Sequence, residues 1–197
     1  MNRREALRRT AMLMGGALSA PAIVGVLNGC TAKPGIDWKP EFLSQEQGAI
    51  VSRLAEIIIP STDTPGAKEV GVPGFIDKML KDVYSKEEQQ SFLDGLKAFN
   101  ERADKEAGDP FQELDSEDQV SYVERIHKED VEKYASSRYS RPPAPKPFLL
   151  TVKELTLLGY FTSEVGATQV LQYSAVPGAY NGCVPLTEAG NGRTWAT

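Results

Sequence analysis

The sequence predicts an all-α domain of about five helices that ends in an irregular, turn-rich C-terminal tail. Apolar residues recur at intervals of three and four in five separate segments, which is the spacing of one helix face. Helix-capping residues precede several of these segments, and clusters of proline and glycine separate them. About the last thirty residues have no such period, so we expect them to be irregular and docked on this domain or on a partner.

The first helix is predicted to begin at a capping box and to end at a proline. Ser44-x-x-Gln47 has the residues that exchange hydrogen bonds at a helix start, and a strong apolar period follows until Pro60. Residues 61–67 then form a turn cluster of short polar side chains with a proline and a glycine. Pro73, near the first helical position, opens the second helix.

Capping boxes also mark the third and fourth helices. Ser85-x-x-Glu88 precedes the third helix, and Ser116-x-x-Gln119 precedes the fourth. In the fourth helix Val120 begins an apolar face that is expected to point inward, while charged side chains occupy the opposite face. Both helices are therefore predicted to be amphipathic.

A proline-rich linker precedes the most apolar helix. Four prolines within residues 136–147 exclude a helix or a central strand there, because proline lacks the amide donor and fixes its φ angle. Residues 148–162 form a fifth helix that is apolar on most sides, so they are predicted to be the central helix of the domain. After it, residues 170–173 resemble a short strand.

The N-terminus has the pattern of an export signal. A basic region precedes a modestly apolar stretch, residues 10–27, which is too short and too interrupted for a membrane span. Arg3, Arg4, Leu7 and Arg8 lie in the register of a twin-arginine signal, which addresses folded proteins for export. An ordinary secretory signal that carries paired arginines by chance is the alternative.

A cysteine follows the signal at a position that resembles a lipidation site. Leu27-Asn28-Gly29-Cys30 is similar to a lipobox, in which the cysteine is acylated and becomes the new N-terminus. Acylation would anchor the mature protein to a membrane after its export across the bacterial inner membrane into the periplasm. In the alternative, a plain signal peptide is cleaved nearby and Cys30 is incidental. The predicted organisation is a signal peptide at 1–29, a tether at 30–43 and a helical domain at 44–197.

The mature chain is acidic and has too few cysteines for a disulfide scaffold. Residues 1–29 hold four arginines and Glu5, so their removal leaves 168 residues with 18 basic and 26 acidic side chains, a net charge of −8. This charge disfavours nucleic acid and anionic lipid as direct ligands. The two cysteines, Cys30 and Cys183, can pair only if Cys30 is not acylated.

No pattern in the sequence indicates a catalytic, cofactor or metal site. The one histidine, His127, is predicted near the C-terminus of the fourth helix, where it would interact favourably with the helix dipole. Asp63 is expected to hold its turn through bonds to nearby backbone or, alternatively, to contact a partner. Cys183 has no neighbouring base in sequence and is expected to be a buried, unreactive thiol. No cofactor is therefore expected in this chain.

Four segments together resemble the gluconate 2-dehydrogenase subunit 3 family: residues 57–67, 72–77, 159–164 and 173–185. The resemblance implies a small subunit of a membrane-associated sugar or polyol dehydrogenase that assists folding and co-export of a large one. It implies that the large, catalytic subunit is of the glucose-methanol-choline oxidoreductase type and carries FAD. In many such complexes a multihaem cytochrome c subunit takes the electrons. The resemblance transfers no catalytic residue to this chain.

The sequence therefore favours a noncatalytic escort subunit, with two alternatives. The interface with the partner is predicted in the Asp63 turn and in the tail, where the expected anchors are Tyr173, Tyr180, Val184 and Trp195. The first alternative is a self-sufficient ligand-binding or redox lipoprotein that uses the aspartate, the histidine or the second cysteine. The second alternative is an envelope lipoprotein with no link to a dehydrogenase.

Overall fold

The computed structural model describes residues 38–137, 145–176, 178, 182–185, 187–188 and 192–196. These residues form five α-helices and two short turns of other helix types, and none of them lies in a β-strand. A 3₁₀ turn covers Phe111–Glu113 and a π-helical turn covers Gly166–Val170. The prediction of an all-α domain is confirmed. Its helices are α1 (Gln45–Ile58), α2 (Val72–Asp82), α3 (Lys86–Ala107), α4 (Ser116–Ser137) and α5 (Phe148–Phe161).

Two of the three predicted capping boxes are present. The Ser44 hydroxyl accepts a hydrogen bond from the Gln47 amide at 3.2 Å, and the Gln47 side chain accepts one from the Ser44 amide at 2.9 Å. Ser85 and Glu88 make the same pair of bonds at the start of α3. A serine cap stabilises a helix by about 1 kcal/mol, which is why these two helix starts can be recognised in the sequence.

Helix α4 begins at Ser116, as predicted, but Gln119 does not cap it. Ser116 is already the first helical residue, and the buried Gln119 side chain makes its bonds elsewhere. It donates to the Phe111 carbonyl oxygen at 3.0 Å and accepts from the Arg53 guanidinium. Gln119 therefore connects α4 to the 3₁₀ turn and to α1 instead of capping the helix. Val120, predicted to point inward, is 37% exposed.

Helix α5 lies at the centre of the domain, as predicted. It contacts each of the other four α-helices. Gly159 permits a close contact with α2, since a Cβ atom at this position would lie only 2.6 Å from Cδ1 of Phe75. A larger residue at Gly159 would therefore push α2 and α5 apart. The buried residues of α5 are Leu149, Val152, Leu155, Thr156, Gly159 and Tyr160.

An aromatic cluster joins α3, α4 and α5. The Phe99 ring packs edge-on against Phe111 and Tyr122, with ring centroids 5.1 Å apart in each pair, and Phe92 packs against Phe148 at 5.0 Å. The Tyr122 hydroxyl donates a hydrogen bond to the Phe99 carbonyl oxygen at 2.9 Å. Burial raises the pKa of Tyr122 to about 12, so this donor keeps its proton at neutral pH.

A buried carboxylate fixes the segment that leads into α1. Asp77 in α2 is 1% exposed, and its two oxygens accept hydrogen bonds from the amides of Glu41, Phe42 and Leu43 at 2.7 to 3.3 Å. Hydrogen bonds to a charged acceptor are stronger than neutral ones. Asp77 thus satisfies three consecutive amides and attaches the approach to α1 to the side of α2.

Replacing Asp77 tests this attachment. The Asp77→Ala variant leaves the three amides without their acceptor, and we expect its free energy of unfolding to fall by about 2–4 kcal/mol. Urea denaturation followed by circular dichroism measures the change. Asp82→Ala is the matched control, because Asp82 is exposed in the same helix, and we expect a change within about 0.5 kcal/mol. Equal losses in the two variants would contradict the role assigned to Asp77.

Candidate partner-binding surface

Asp63 is exposed in the loop that follows α1, which we term the Asp63 loop (residues 59–67). Its carboxylate accepts a hydrogen bond from the Thr62 hydroxyl at 2.9 Å, and the turn is closed by the Thr62 amide, which donates to the Thr64 carbonyl oxygen at 3.0 Å. In the described residues, the Asp63 carboxylate therefore makes its hydrogen bond with this hydroxyl and not with a backbone amide. The expectation that Asp63 holds the turn is therefore not met, and its carboxylate faces a surface that a partner can reach.

Side chains of α1 and α5 hold the Asp63 loop in place. The Glu56 carboxylate accepts hydrogen bonds from the amides of Ser61 and Lys68, at 3.2 and 3.3 Å. From α5, the buried Tyr160 side chain donates its hydroxyl proton to the Pro65 carbonyl oxygen at 2.8 Å. The loop is thus bound to the helical domain at three points and presents a defined surface.

The end of the chain folds back on the start of the tail. Amide–carbonyl hydrogen bonds of 2.8 Å join Gln172 to Thr194 and Ala196 to Gln172. These bonds form one isolated β-bridge between Gln172 and Trp195. The strand-like segment predicted at 170–173 is therefore a single bridge, because the described residues supply no further paired partner to extend it.

The described anchors of the tail are exposed. Tyr173 is 61% exposed, Trp195 is 41% exposed and Val184 is 38% exposed. Tyr180 lies outside the described residues. Large aromatic side chains bury much apolar area when they meet a partner. The helical domain leaves these three side chains available for such contacts.

The predicted export signal and lipidation site also lie outside the described residues, which begin at Trp38. None of the helices in the described part of the chain is both long and apolar enough to cross a membrane. The residues of the signal and the lipidation site are Arg3, Arg4, Leu7, Arg8 and Cys30.

A second exposed feature is an apolar groove between α1, α4 and α5, which we term the His127 groove. It has a volume of about 200 Å³. Five aliphatic side chains form most of its lining, and one acidic and two basic side chains complete it. The lining residues are Ile57, Ile58, Val120, Val123, Glu124, His127, Leu149 and Lys153.

His127 lies in the middle of α4, not near its C-terminus as predicted, because the helix continues to Ser137. The expected dipole interaction does not apply, since that effect is confined to the last turn. Instead, Nε2 of His127 lies 2.9 Å from Nζ of Lys153 in α5. An ammonium group only donates, so Nε2 accepts and the imidazole is neutral in this contact. Burial, followed by the charge of Lys153, lowers the pKa of His127 below its usual 6.5.

The expectation for Cys183 is wrong. Its thiol is free and exposed, not buried. The tail has no apolar period, so the sequence around Cys183 held no signal for its burial or exposure. In the part of the chain that the structure describes, no three His, Cys, Asp or Glu side chains gather in a group that could hold a metal ion.

The sequence matches the family model described as gluconate 2-dehydrogenase subunit 3 over residues 45–178. The chain belongs to the gluconate 2-dehydrogenase subunit 3 family. The resemblance noted in the sequence is confirmed, and this membership places the chain among the subunits of a multi-subunit dehydrogenase. No curated protein and no solved structure matches the chain.

The region that matches the gluconate 2-dehydrogenase subunit 3 family contains the Asp63 loop and the His127 groove. It begins at Gln45, the first residue of α1, and it includes the whole Asp63 loop and every lining residue of the His127 groove. It also includes Tyr173, but it ends before Val184 and Trp195. The family match therefore covers the helical domain and the first part of the tail.

Sequence reasoning missed three residues with long-range structural roles in the gluconate 2-dehydrogenase subunit 3 domain. Glu56 and Asp77 bind backbone amides of other segments, and no local pattern distinguishes them from surface carboxylates. Lys153 did leave a signal. Together with Glu154 it interrupts an otherwise apolar helix, and a charged side chain in such a helix requires a structural or functional reason.

The contact between His127 and Lys153 predicts a loss of stability at mildly acidic pH. Because the pKa of His127 in the folded protein lies below 6.5, the unfolded chain binds this proton more readily than the folded chain. The contribution of neutral His127 to the free energy of unfolding is complete above pH 6.5, the ordinary pKa of histidine. It is lost as the pH falls through the lower pKa that His127 has in the folded protein. We expect the urea midpoint to decrease between about pH 7.5 and about pH 5.5.

His127→Gln provides the comparison for this pH dependence. The glutamine amide oxygen can replace Nε2 as the acceptor for Lys153, and it does not titrate. We expect the urea midpoint of this variant to change less than that of the wild type over the same pH range. Because all other ionisable groups are common to both proteins, equal changes would contradict a neutral His127 in the folded state.

Proposed function

We propose that this chain is a noncatalytic small subunit of an exported, FAD-dependent dehydrogenase complex, in which it assists the folding, co-export and membrane attachment of the catalytic subunit. The observation that carries the proposal is the family match across the helical domain. The paired Arg3 and Arg4 support the export step, because the twin-arginine route carries folded proteins. A partner that binds FAD before export and lacks a signal depends on such a chain to leave the cytoplasm.

The Asp63 loop and the tail form the proposed interface with the catalytic subunit. Glu56 and Tyr160 already hold the loop, so a partner binds it without the entropic cost of ordering it. The tail supplies Tyr173 and Trp195, and aromatic side chains of this kind carry much of the binding energy in protein interfaces. The loop gives the interface a fixed orientation, and the tail adds apolar area.

Cys30 is the proposed membrane anchor. An acylated cysteine that carries two or more chains is sufficient for stable attachment to a membrane. The tether at 30–43 then connects the anchor to α1. Because Asp77 binds the amides of Glu41 through Leu43, the domain end of this tether is fixed to α2.

Conservative changes in the signal test co-export. With Arg3→Lys and Arg4→Lys together, we expect the flavin-bearing subunit to remain in the cytoplasm along with this chain, since the route recognises the arginine pair. Cell fractionation and FAD fluorescence of the catalytic subunit measure its location. Arg9→Lys is the matched control, because Arg9 lies in the same basic region but outside the pair, and it should leave export unchanged. Normal export of the flavin subunit in the double variant would refute the escort role.

Truncating a tail anchor tests the interface. We expect Tyr173→Ala to raise the dissociation constant of the complex with the catalytic subunit about tenfold or more, which is the scale of an aromatic hot spot. The thermal midpoint of the isolated domain should not change, because Tyr173 is 61% exposed. Val83→Ala is the control, since Val83 is 65% exposed and adjoins α2 away from the tail sequence. Unchanged retention in the Tyr173 variant would exclude it as an anchor.

A further inference from the structure

The His127 groove has an apolar floor that is large enough for a single bulky side chain. Ile57 and Ile58 come from the last turn of α1, Val120 and Val123 come from α4, and Leu149 comes from α5. A cavity of about 150 Å³ is enough to bind a benzene-sized apolar group, and the groove has about 200 Å³. Its dimensions and lining therefore suit a leucine, methionine or phenylalanine side chain that projects from another surface.

The polar lip of the groove carries a cation that lacks an anionic partner. The ammonium of Lys153 is bound to the neutral His127, and no carboxylate among the described residues lies within ion-pair distance of it. Half-buried charges are normally paired, because removing them from water costs free energy. A carboxylate supplied from outside would complete this site. Every other described lysine is exposed, and four of these lie within 4.0 Å of a glutamate: Lys81, Lys97, Lys133 and Lys146.

Symmetry argues against a second copy of this chain as the occupant. In a twofold dimer the same patch lies on both sides of the interface, so the groove is filled only if that patch also carries a protruding apolar side chain in the matching position. A head-to-tail contact would fill the groove, but it forms open chains unless the rotation happens to close. A different protein that presents a protruding apolar side chain avoids both difficulties.

The groove lining also adjoins the proposed interface along the chain. Ile57 and Ile58 are the last two residues of α1, and the Asp63 loop begins with the next residue. Glu56, which holds that loop, is the preceding residue of the same helix. A protein that binds the loop therefore contacts residues that directly follow the groove lining in the chain.

We propose that the His127 groove receives one large apolar side chain of the catalytic subunit, and that a neighbouring carboxylate of that subunit binds Lys153. This inference rests on the proposed function and adds the chemistry of the partner segment to it. The partner segment carries an Asp or Glu close in sequence to a leucine, methionine or aromatic residue. The two lie within one turn if the segment is a helix, and next to each other if it is a loop. Glu124, on the same lip, disfavours a second carboxylate at that point.

Site-specific photocrosslinking in the intact complex tests the occupant. A benzophenone amino acid at position 120 should crosslink to a peptide of the catalytic subunit that contains an acidic residue close to a large apolar one. The matched control is position 131, because Val131 is also a valine of α4 with similar exposure, 42% against 37% for Val120, and it does not line the groove. We expect the yield at 131 to be several-fold lower.

Charge variants provide the second measurement. Lys153→Met keeps an unbranched side chain as long as the aliphatic part of lysine and removes the charge. We expect the complex to dissociate about tenfold faster, as when one partner of an interfacial charge pair is removed. Lys153→Arg should restore most of the lifetime. Lys128→Met is the control, since Lys128 is an exposed lysine of α4 outside the groove. A thermal midpoint equal to that of the wild type establishes that each variant is folded.

The outcomes separate this inference from the proposed function. If the catalytic subunit co-purifies but position 120 crosslinks to a second copy, to this chain itself, to lipid or to nothing, the groove assignment is overturned and the accessory role stands. Equal dissociation of Lys153→Met and wild type also overturns it. If no catalytic subunit co-purifies with the wild-type chain, both the groove assignment and the proposed function fail.

Discussion

The central position of α5 is the constraint on which both candidate surfaces depend. Gly159 lets α5 approach Phe75 of α2, and the same helix packs against α1, α3 and α4. Its Tyr160 reaches the Asp63 loop, and its Lys153 reaches the His127 groove. A displacement of α5 would therefore move both surfaces together. Lys153 and Tyr160 are thus the two polar side chains of this largely apolar, 14-residue helix that reach these surfaces.

The molecule combines a well-packed helical domain with segments that the domain does not cover. The aromatic cluster and the Asp77 hydrogen bonds hold the helices of this domain together. By contrast, the domain does not cover the side chains of Tyr173 and Trp195, which are exposed. An arrangement of this kind suits an accessory subunit, because a folded domain supplies a fixed surface while the remaining apolar groups are buried by the partner. In the proposed complex, the partner performs the chemistry and this chain contributes position and stability.

The helices were predictable from the sequence because their signals are local. Ser44 with Gln47 and Ser85 with Glu88 mark real helix starts, and the apolar content of α5 correctly placed it at the centre. Errors arose where the deciding contact is distant in sequence. Gln119 binds Arg53, and His127 meets Lys153, so neither side chain plays the local role that its neighbours suggested. The exposure of Cys183 is a third case, since a tail without a period gives no indication of which side faces solvent.

We propose that the chain works as a subunit and that its partner performs the chemistry. Native mass spectrometry of the wild-type protein, purified through a C-terminal tag from cells that naturally make it, tests this proposal. The account predicts an assembly in which one copy of this chain accompanies one larger, FAD-bearing chain, while the isolated small chain is colourless and does not reduce dyes. A chain that is recovered alone, with a chromophore or dye-reducing activity of its own, would contradict the account.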